Sequence, residues 1–170
     1  MMIVLHQEKT NKKGELLMRD IKYIFVHCTA SYQSNTTEAS LRAEFKAKGW
    51  SQVGYHWVVK TDGNIIKLLD EQYIANGVKG YNSNSIHIAW IGGIDKTHPK
   101  GIDNRTPAQK AALYDLVAKV KMRYPKAKIL GHRDISPDLN HNGIVDPWER
   151  IKACPCFDAM VEYKELNDIK

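Results

Sequence analysis

The segment that most restricts the fold is residues 106–124. It opens on Thr106-Pro107-Ala108-Gln109, a capping threonine, a proline at the first helical position and a glutamine three residues after the cap. This arrangement satisfies the free amides of a helix start. Leu113, Leu116, Val117, Val120 and Tyr124 then recur at helical spacing until Pro125 ends the run. A helix with one apolar face must bury it, and the rest of the chain supplies strands for it to lie on. Residues 21–27 read I-K-Y-I-F-V-H, a β-branched and aromatic run of strand length that ends in His27. Residues 85–91 alternate as a buried strand stopped by Gly92-Gly93, and residues 128–131 form a short strand that feeds His132. Residues 55–60 and 64–69 flank Thr61-Asp62-Gly63, a hairpin signal because the Asp-Gly pair favours the positive φ of a tight connection. A second helix follows the cap Thr36 or Thr37 and stops at Gly49, and residues 157–166 read as a terminal helix. Hairpin and crossover connections together predict the α/β class. The expected architecture is a single domain, residues 21–170, with a mixed central β-sheet flanked by helices behind an N-terminal extension, residues 1–20.

A chain of 170 residues with 43% hydrophobic and 26% charged content is large enough to bury a core without disulfides. Its longest apolar stretch, residues 86–94, is interrupted by His87 and Gly92-Gly93, so insertion into a membrane is not expected. Residues 1–20 lack the apolar core and small-residue cleavage site of a secretory signal, which predicts synthesis in the cytoplasm. The formal charge of +6 suits polyanions. The basic residues are spread along the chain without a nucleic-acid motif, so no nucleic-acid partner is expected. The cysteines, Cys28, Cys154 and Cys156, are odd in number, which rules out a complete disulfide framework and favours reduced or metal-linked use.

His27, His132 and Cys154 are far apart in sequence, and no short ligand spacing joins them. Taken singly, each reads as a packed or hydrogen-bonded residue. Their settings differ from the ordinary: His27 ends a strand, His132 lies in G-H-R-D after another, and Cys154 lies in K-A-C-P-C-F. Seven segments, I-F-V-H-C-T-A (24–30), G-W-S-Q-V-G-Y-H-W-V-V-K-T-D-G (49–63), K-G-Y-N-S-N-S-I (79–86), I-G-G-I-D (91–95), T-P-A-Q (106–109), G-H-R-D (131–134) and K-A-C-P-C-F-D (152–158), stand in an order that resembles one family. It is that of the zinc-dependent N-acetylmuramoyl-L-alanine amidases, which includes bacteriophage T7 lysozyme and the animal peptidoglycan recognition proteins. The phage-lysozyme branch is the most similar in detail.

The resemblance implies an amidase/peptidoglycan-recognition-protein-like fold and hydrolysis of the amide between N-acetylmuramic acid and L-alanine in peptidoglycan. It implies action at the cell wall, as a wall-remodelling enzyme or a phage or prophage endolysin. His27 and His132 would give imidazole nitrogens and Cys154 a thiolate to zinc, leaving a fourth position for water. Tyr55 would orient or deprotonate that water, and Lys152 would stabilise the oxyanion. Strand alternation turns Cys28 to the opposite face from His27, a core position. Cys156, where the phage lysozyme has serine, reads as packed, and His56 and His87 read as structural histidines. This chain has Val78 where a histidine just before the K-G-Y-N segment would be expected. Asn76, Lys79, Tyr81 and Asn82 are therefore expected to line the substrate groove, with Lys79 facing a substrate carboxylate.

Between G-H-R-D and K-A-C-P lies D-L-N-H-N-G-I-V-D-P-W-E, which matches the calcium-loop spacing D-x-[DN]-x-[DN]-G-x5-E. Asp138, Asn140, Asn142, Asp146 and Glu149 fall at side-chain ligand positions and Ile144 at the carbonyl position, so calcium is a second expected ion. The alternative is a turn loop held by its own Asn and Asp side chains. Two other functions belong with the family: a peptidoglycan-binding module without catalysis, and a lysozyme-like regulator of a polymerase. Binding-only relatives commonly replace the cysteine ligand, so Cys154 beside both histidines favours the enzyme.

Overall fold

The computed structural model describes residues 18–169. Most of the expected N-terminal extension, residues 1–17, lies outside the described residues. Five strands, β1 (Tyr23–Cys28), β2 (Trp57–Val59), β3 (Ile65–Lys67), β4 (Ser85–Trp90) and β5 (Lys128–Gly131), form one sheet in the order β3-β2-β4-β1-β5. β4 and β5 flank β1 in parallel, β2 runs parallel to β4, and β3 closes the edge antiparallel to β2. The mixed sheet is therefore as the connections predict. The hairpin strands are shorter than the apolar runs that announced them, and Gly63 takes the positive φ of 84° at their turn.

Helix α1 (Glu38–Ala47) is capped by Thr37 and followed by Gly49 at φ 73°. Helix α2 (Pro107–Arg123) has Thr106 as its cap with the reciprocal Gln109 contact. Gln109 also donates from Nε2 to the carbonyls of Ile91 (2.8 Å) and Val59 (3.3 Å), which fastens the helix start to the ends of two strands. Residues 157–166 are not one helix. Two single turns, α3 (Ala159–Glu162) and α4 (Lys164–Asn167), are separated at Tyr163, whose backbone leaves the helical region. The break lets the Tyr163 ring enter the core beside Phe157 and Tyr114. It also lets the Asn167 carboxamide pair with both main-chain groups of Ile129 on the outer edge of β5 (2.8 and 3.0 Å), covering an edge that would otherwise be open.

Side-chain parity divides the molecule. Ile24, Val26 and Cys28 of β1 and Ile86, Ile88 and Trp90 of β4 pack with Leu113, Leu116, Val117 and Val120 of α2. The alternate residues of the same strands, Phe25, His27, His87 and Ala89, face the other side, where α1 contributes Leu41 and Phe45. The chemistry sits on this second face. The loops around it are drawn together by Arg19, whose guanidinium donates to the carbonyls of Glu71 (2.8 Å), Tyr73 (2.7 Å), Asn82 (2.7 Å) and Ser85 (2.8 Å).

Candidate metal centre

Parallel pairing of β1 with β5 brings His27 and His132 to neighbouring strand ends, with their rings 5.0 Å apart and edge to face. Cys154 arrives from a later loop and is held from three strands. The main-chain N–H of Cys28 in β1 points at its Sγ (3.3 Å). The Trp90 indole in β4 donates to the Pro155 carbonyl (3.2 Å), and the N–H of Arg133, just past β5, donates to the Cys154 carbonyl (2.8 Å). Gly131 is needed for this approach, because a Cβ there would stand 2.6 Å from Cδ of Pro155.

One ligand atom each from His27, His132 and Cys154 lies within 4.8 Å of the others, the one such set of His, Cys, Asp or Glu among the described residues. Nδ1 of His27 is 3.7 Å from Cys154 Sγ. Two donors bound to zinc at its usual nitrogen and sulfur distances and a tetrahedral angle stand roughly 3.6 Å apart, so the pair is spaced as zinc requires. Burial, then the neighbouring His87, His132 and Lys152, holds His27 well below the ordinary histidine range. Burial and the Lys152 cation bring His132 down to about 4. Both imidazoles are thus neutral near pH 7, the form that offers a lone pair to a metal.

Tyr55 packs its ring 5.2 Å from that of His27, and burial followed by the nearby Cys154 and Cys28 thiols raises its hydroxyl well above the usual phenol range. A phenol in that state is a hydrogen-bond donor and positions what it touches. Lys152 is exposed at the rim, close enough for its charge to act on both histidines.

The model of the N-acetylmuramoyl-L-alanine amidase family matches residues 17–155. The chain belongs to that family. It is 37% identical over 147 residues to the endolysin of Escherichia phage T7, covering 86% of this chain and 87% of the relative. The endolysin of the Thermus scotoductus MAT2119 bacteriophage Ph2119 superposes with a TM-score of 0.63 at 25% identity, over 87% of this chain and 86% of that one. Bumblebee PGRP-SA, at 18% identity, shares the fold with a TM-score of 0.64 over 87% and 83% of the two chains. The protein is an N-acetylmuramoyl-L-alanine amidase.

In this amidase the other two cysteines pack together on the α2 side, with Cys28 Sγ 3.6 Å from Cys156 Sγ. Cys156 also reaches the Gly93 carbonyl (3.5 Å), so neither thiol competes for the metal position. His56 is structural, its Nε2 on the Tyr73 carbonyl at 3.0 Å. His87 is buried and hydrogen-bonded as the sequence suggests, and its partner is a ring of the donor set: its Nδ1 is 3.0 Å from Nε2 of His27.

The residues expected from the sequence to line a groove are placed unevenly. Lys79 is exposed. Asn76 donates to the Gln52 carbonyl (3.1 Å), Asn82 accepts the Val78 amide (2.7 Å), and the Tyr81 ring meets Tyr23 and Phe25 edge-on. These three shape the loop that carries Lys79.

The 138–149 loop closes on itself. Asp138 accepts the amides of Asn142 (3.2 Å) and Gly143 (2.8 Å), Asn140 that of Asn142 (3.0 Å), and Asn142 that of Ile144 (2.9 Å). The buried Glu149 accepts from Leu139 (2.7 Å), Asn140 (3.0 Å) and Asp146 (2.7 Å). Asp146 takes the carboxamides of Asn140 (2.8 Å) and Asn142 (2.9 Å). Asp138, Asp146 and Glu149 do not form a second metal-holding set among the described residues, and the calcium expectation gains no support. No helix among the described residues is long and apolar enough to cross a membrane.

Proposed function

We propose that this amidase holds one zinc ion on His27, His132 and Cys154 and cuts the muramyl–L-alanine amide of the cell wall there, with Tyr55 and Lys152 as its catalytic residues. The observation that carries the reading is the convergence of two neutral imidazoles and a thiol within 4.8 Å at the ends of adjacent strands. Zinc on such a donor set supplies an activated water and polarises the carbonyl. The protein's own groups do the rest. The Tyr55 hydroxyl, kept protonated by burial and directed at the Cys28 carbonyl at a long 3.5 Å, would turn its hydrogen to the attacking water and orient it. The Lys152 ammonium at the rim meets the negative charge that develops on the carbonyl oxygen. As the carbon–nitrogen bond breaks, a proton from the attacking water passes to the departing L-alanine amine. Products are the lactyl carboxylate and a free stem peptide.

Residues 21–170 act as the catalytic domain in this reading. Lys79 receives a stem carboxylate, and Asn76, Tyr81 and Asn82 form the groove wall beside it. Digestion of purified peptidoglycan tests the reaction: mass spectrometry should find stem peptides with a free L-alanine amine. Cut glycan strands carrying intact stems would overturn the reading. Metal analysis of the purified protein should find one zinc per chain, lost on Cys154→Ala.

A further inference from the structure

His27 divides its ring nitrogens between two neighbours, with Nδ1 toward Cys154 Sγ and Nε2 toward His87 Nδ1, at 3.7 and 3.0 Å. We propose that His87 is a positioning residue for His27, accepting its Nε2–H and so reserving the Nδ1 lone pair for the metal. This rests on the zinc reading above and deepens it. A neutral imidazole has one N–H and one lone pair. If Nδ1 is to bind a cation, the proton must sit on Nε2, where His87 is the partner within reach. Metal-bound histidines regularly give their second N–H to an outer acceptor, which fixes both ring orientation and tautomer.

The surroundings hold His87 to that task. It is fully buried on β4, on the face that carries His27. Its main-chain N–H donates to Nδ1 of His56 (2.9 Å), which leaves the His56 proton on Nε2, directed at the Tyr73 carbonyl. The rings of His56 and Phe25 lie nearly parallel to that of His87, with centroids at 5.9 and 5.7 Å. Gly77 leaves the space: a Cβ there would fall 2.3 Å from His87 Nδ1 and 2.5 Å from its Cγ. Nε2 of His87 is buried without a hydrogen-bond partner among the described residues. Packing alone does not call for a stranded polar atom, since a phenyl ring fills comparable space without one; buried polar groups are otherwise paired.

Zinc affinity, measured by competition with a chromophoric chelator on the full chain, tests the assignment. His87→Phe keeps a ring and removes the acceptor, and should weaken zinc binding roughly 10- to 100-fold. Gly77→Ala, which displaces the imidazole, should weaken it in the same direction. His87→Asn places an acceptor oxygen near the position of Nδ1 and should recover most of the loss. Unchanged affinity in His87→Phe, or equal loss in the Phe and Asn variants, overturns the proposal. Nitrogen NMR of the zinc-loaded parent needs no variant: it should show His27 protonated on Nε2, with scalar coupling to His87 Nδ1. The proton on His87 Nδ1 instead overturns the proposal, whether or not the variants fold. A parent that takes up no zinc removes the metal reading as well, whereas a zinc-binding parent without these signatures removes only the role of His87.

Discussion

Two parts of this molecule carry metal-ligand spacing or chemistry in their sequence, and they differ in what their donor atoms are already doing. In the 138–149 loop, the side-chain oxygens of Asp138, Asn140, Asn142 and Glu149 are taken up by main-chain amides of the same loop. At His27, His132 and Cys154, the donors belong to separate strands and a separate loop and face one another. The first arrangement spends its acceptors on closing a turn. The second is assembled by the sheet, which buries His27 and His132 and half-buries Cys154 with their donor atoms turned toward one another. A ligand pattern in sequence therefore says less about a metal than whether the donors converge.

The strongest way to break this contrast is Cys154→Ala. It should remove the bound zinc and lower turnover on the order of a thousandfold or more while the chain stays folded, because loss of a Lewis acid is worth several kcal/mol. Near-normal turnover would show that the convergence is incidental. Lys152→Ala should keep zinc and lower kcat on the order of 10²- to 10³-fold, as loss of an oxyanion partner does. Steady-state kinetics with metal analysis on one preparation separates the two cases.

A third test lies behind the triad. Burial brings His56 down to about 4 from an ordinary 6.5, opposed by its bond to the Tyr73 carbonyl; Arg19, Glu71 and the ring of His87 face it. The unfolded chain takes up this proton first as the pH falls. The stabilisation is complete above pH 6.5 and is lost progressively toward pH 4, by on the order of 3 kcal/mol. Urea unfolding across that window should show a shallower decline in His56→Gln than in the parent; parallel curves would refute it. The smallest effect belongs to the loop. Glu149→Ala strands three amides and should cost about 1–3 kcal/mol in stability while zinc affinity stays unchanged. A parallel loss of zinc would mean that the loop helps to fix Cys154 in place.

What could be read from the sequence follows the range of the interactions involved. The caps at Thr37 and Thr106 and the turn at Gly63 are local, so the residues that make them lie side by side in the chain. The order of the strands follows from their connections. The break at Tyr163 was not legible, because it depends on a core pocket between Phe157 and Tyr114 that helical periodicity cannot reveal. The triad was legible through its settings at strand ends and the family resemblance. The contact of His87 with His27 needed the register of β4 on β1, in which His87 sits beside Phe25 and shares the face of His27. Parity within β4 alone hints at a face and names no neighbour.

Arg19 bears on how this enzyme can be cut and joined. Its guanidinium gathers carbonyls from residues 71–85, the stretch that includes the loop carrying Lys79, although it precedes the first strand by four positions in the chain. A derivative trimmed to the start of β1, or a fusion spliced at that point, would keep His27, Tyr55, His132, Lys152 and Cys154 and lose the clasp that gathers the loops of residues 71–85. Such a derivative should bind its metal and grip its polymer poorly, so the serviceable splice point lies upstream of Arg19.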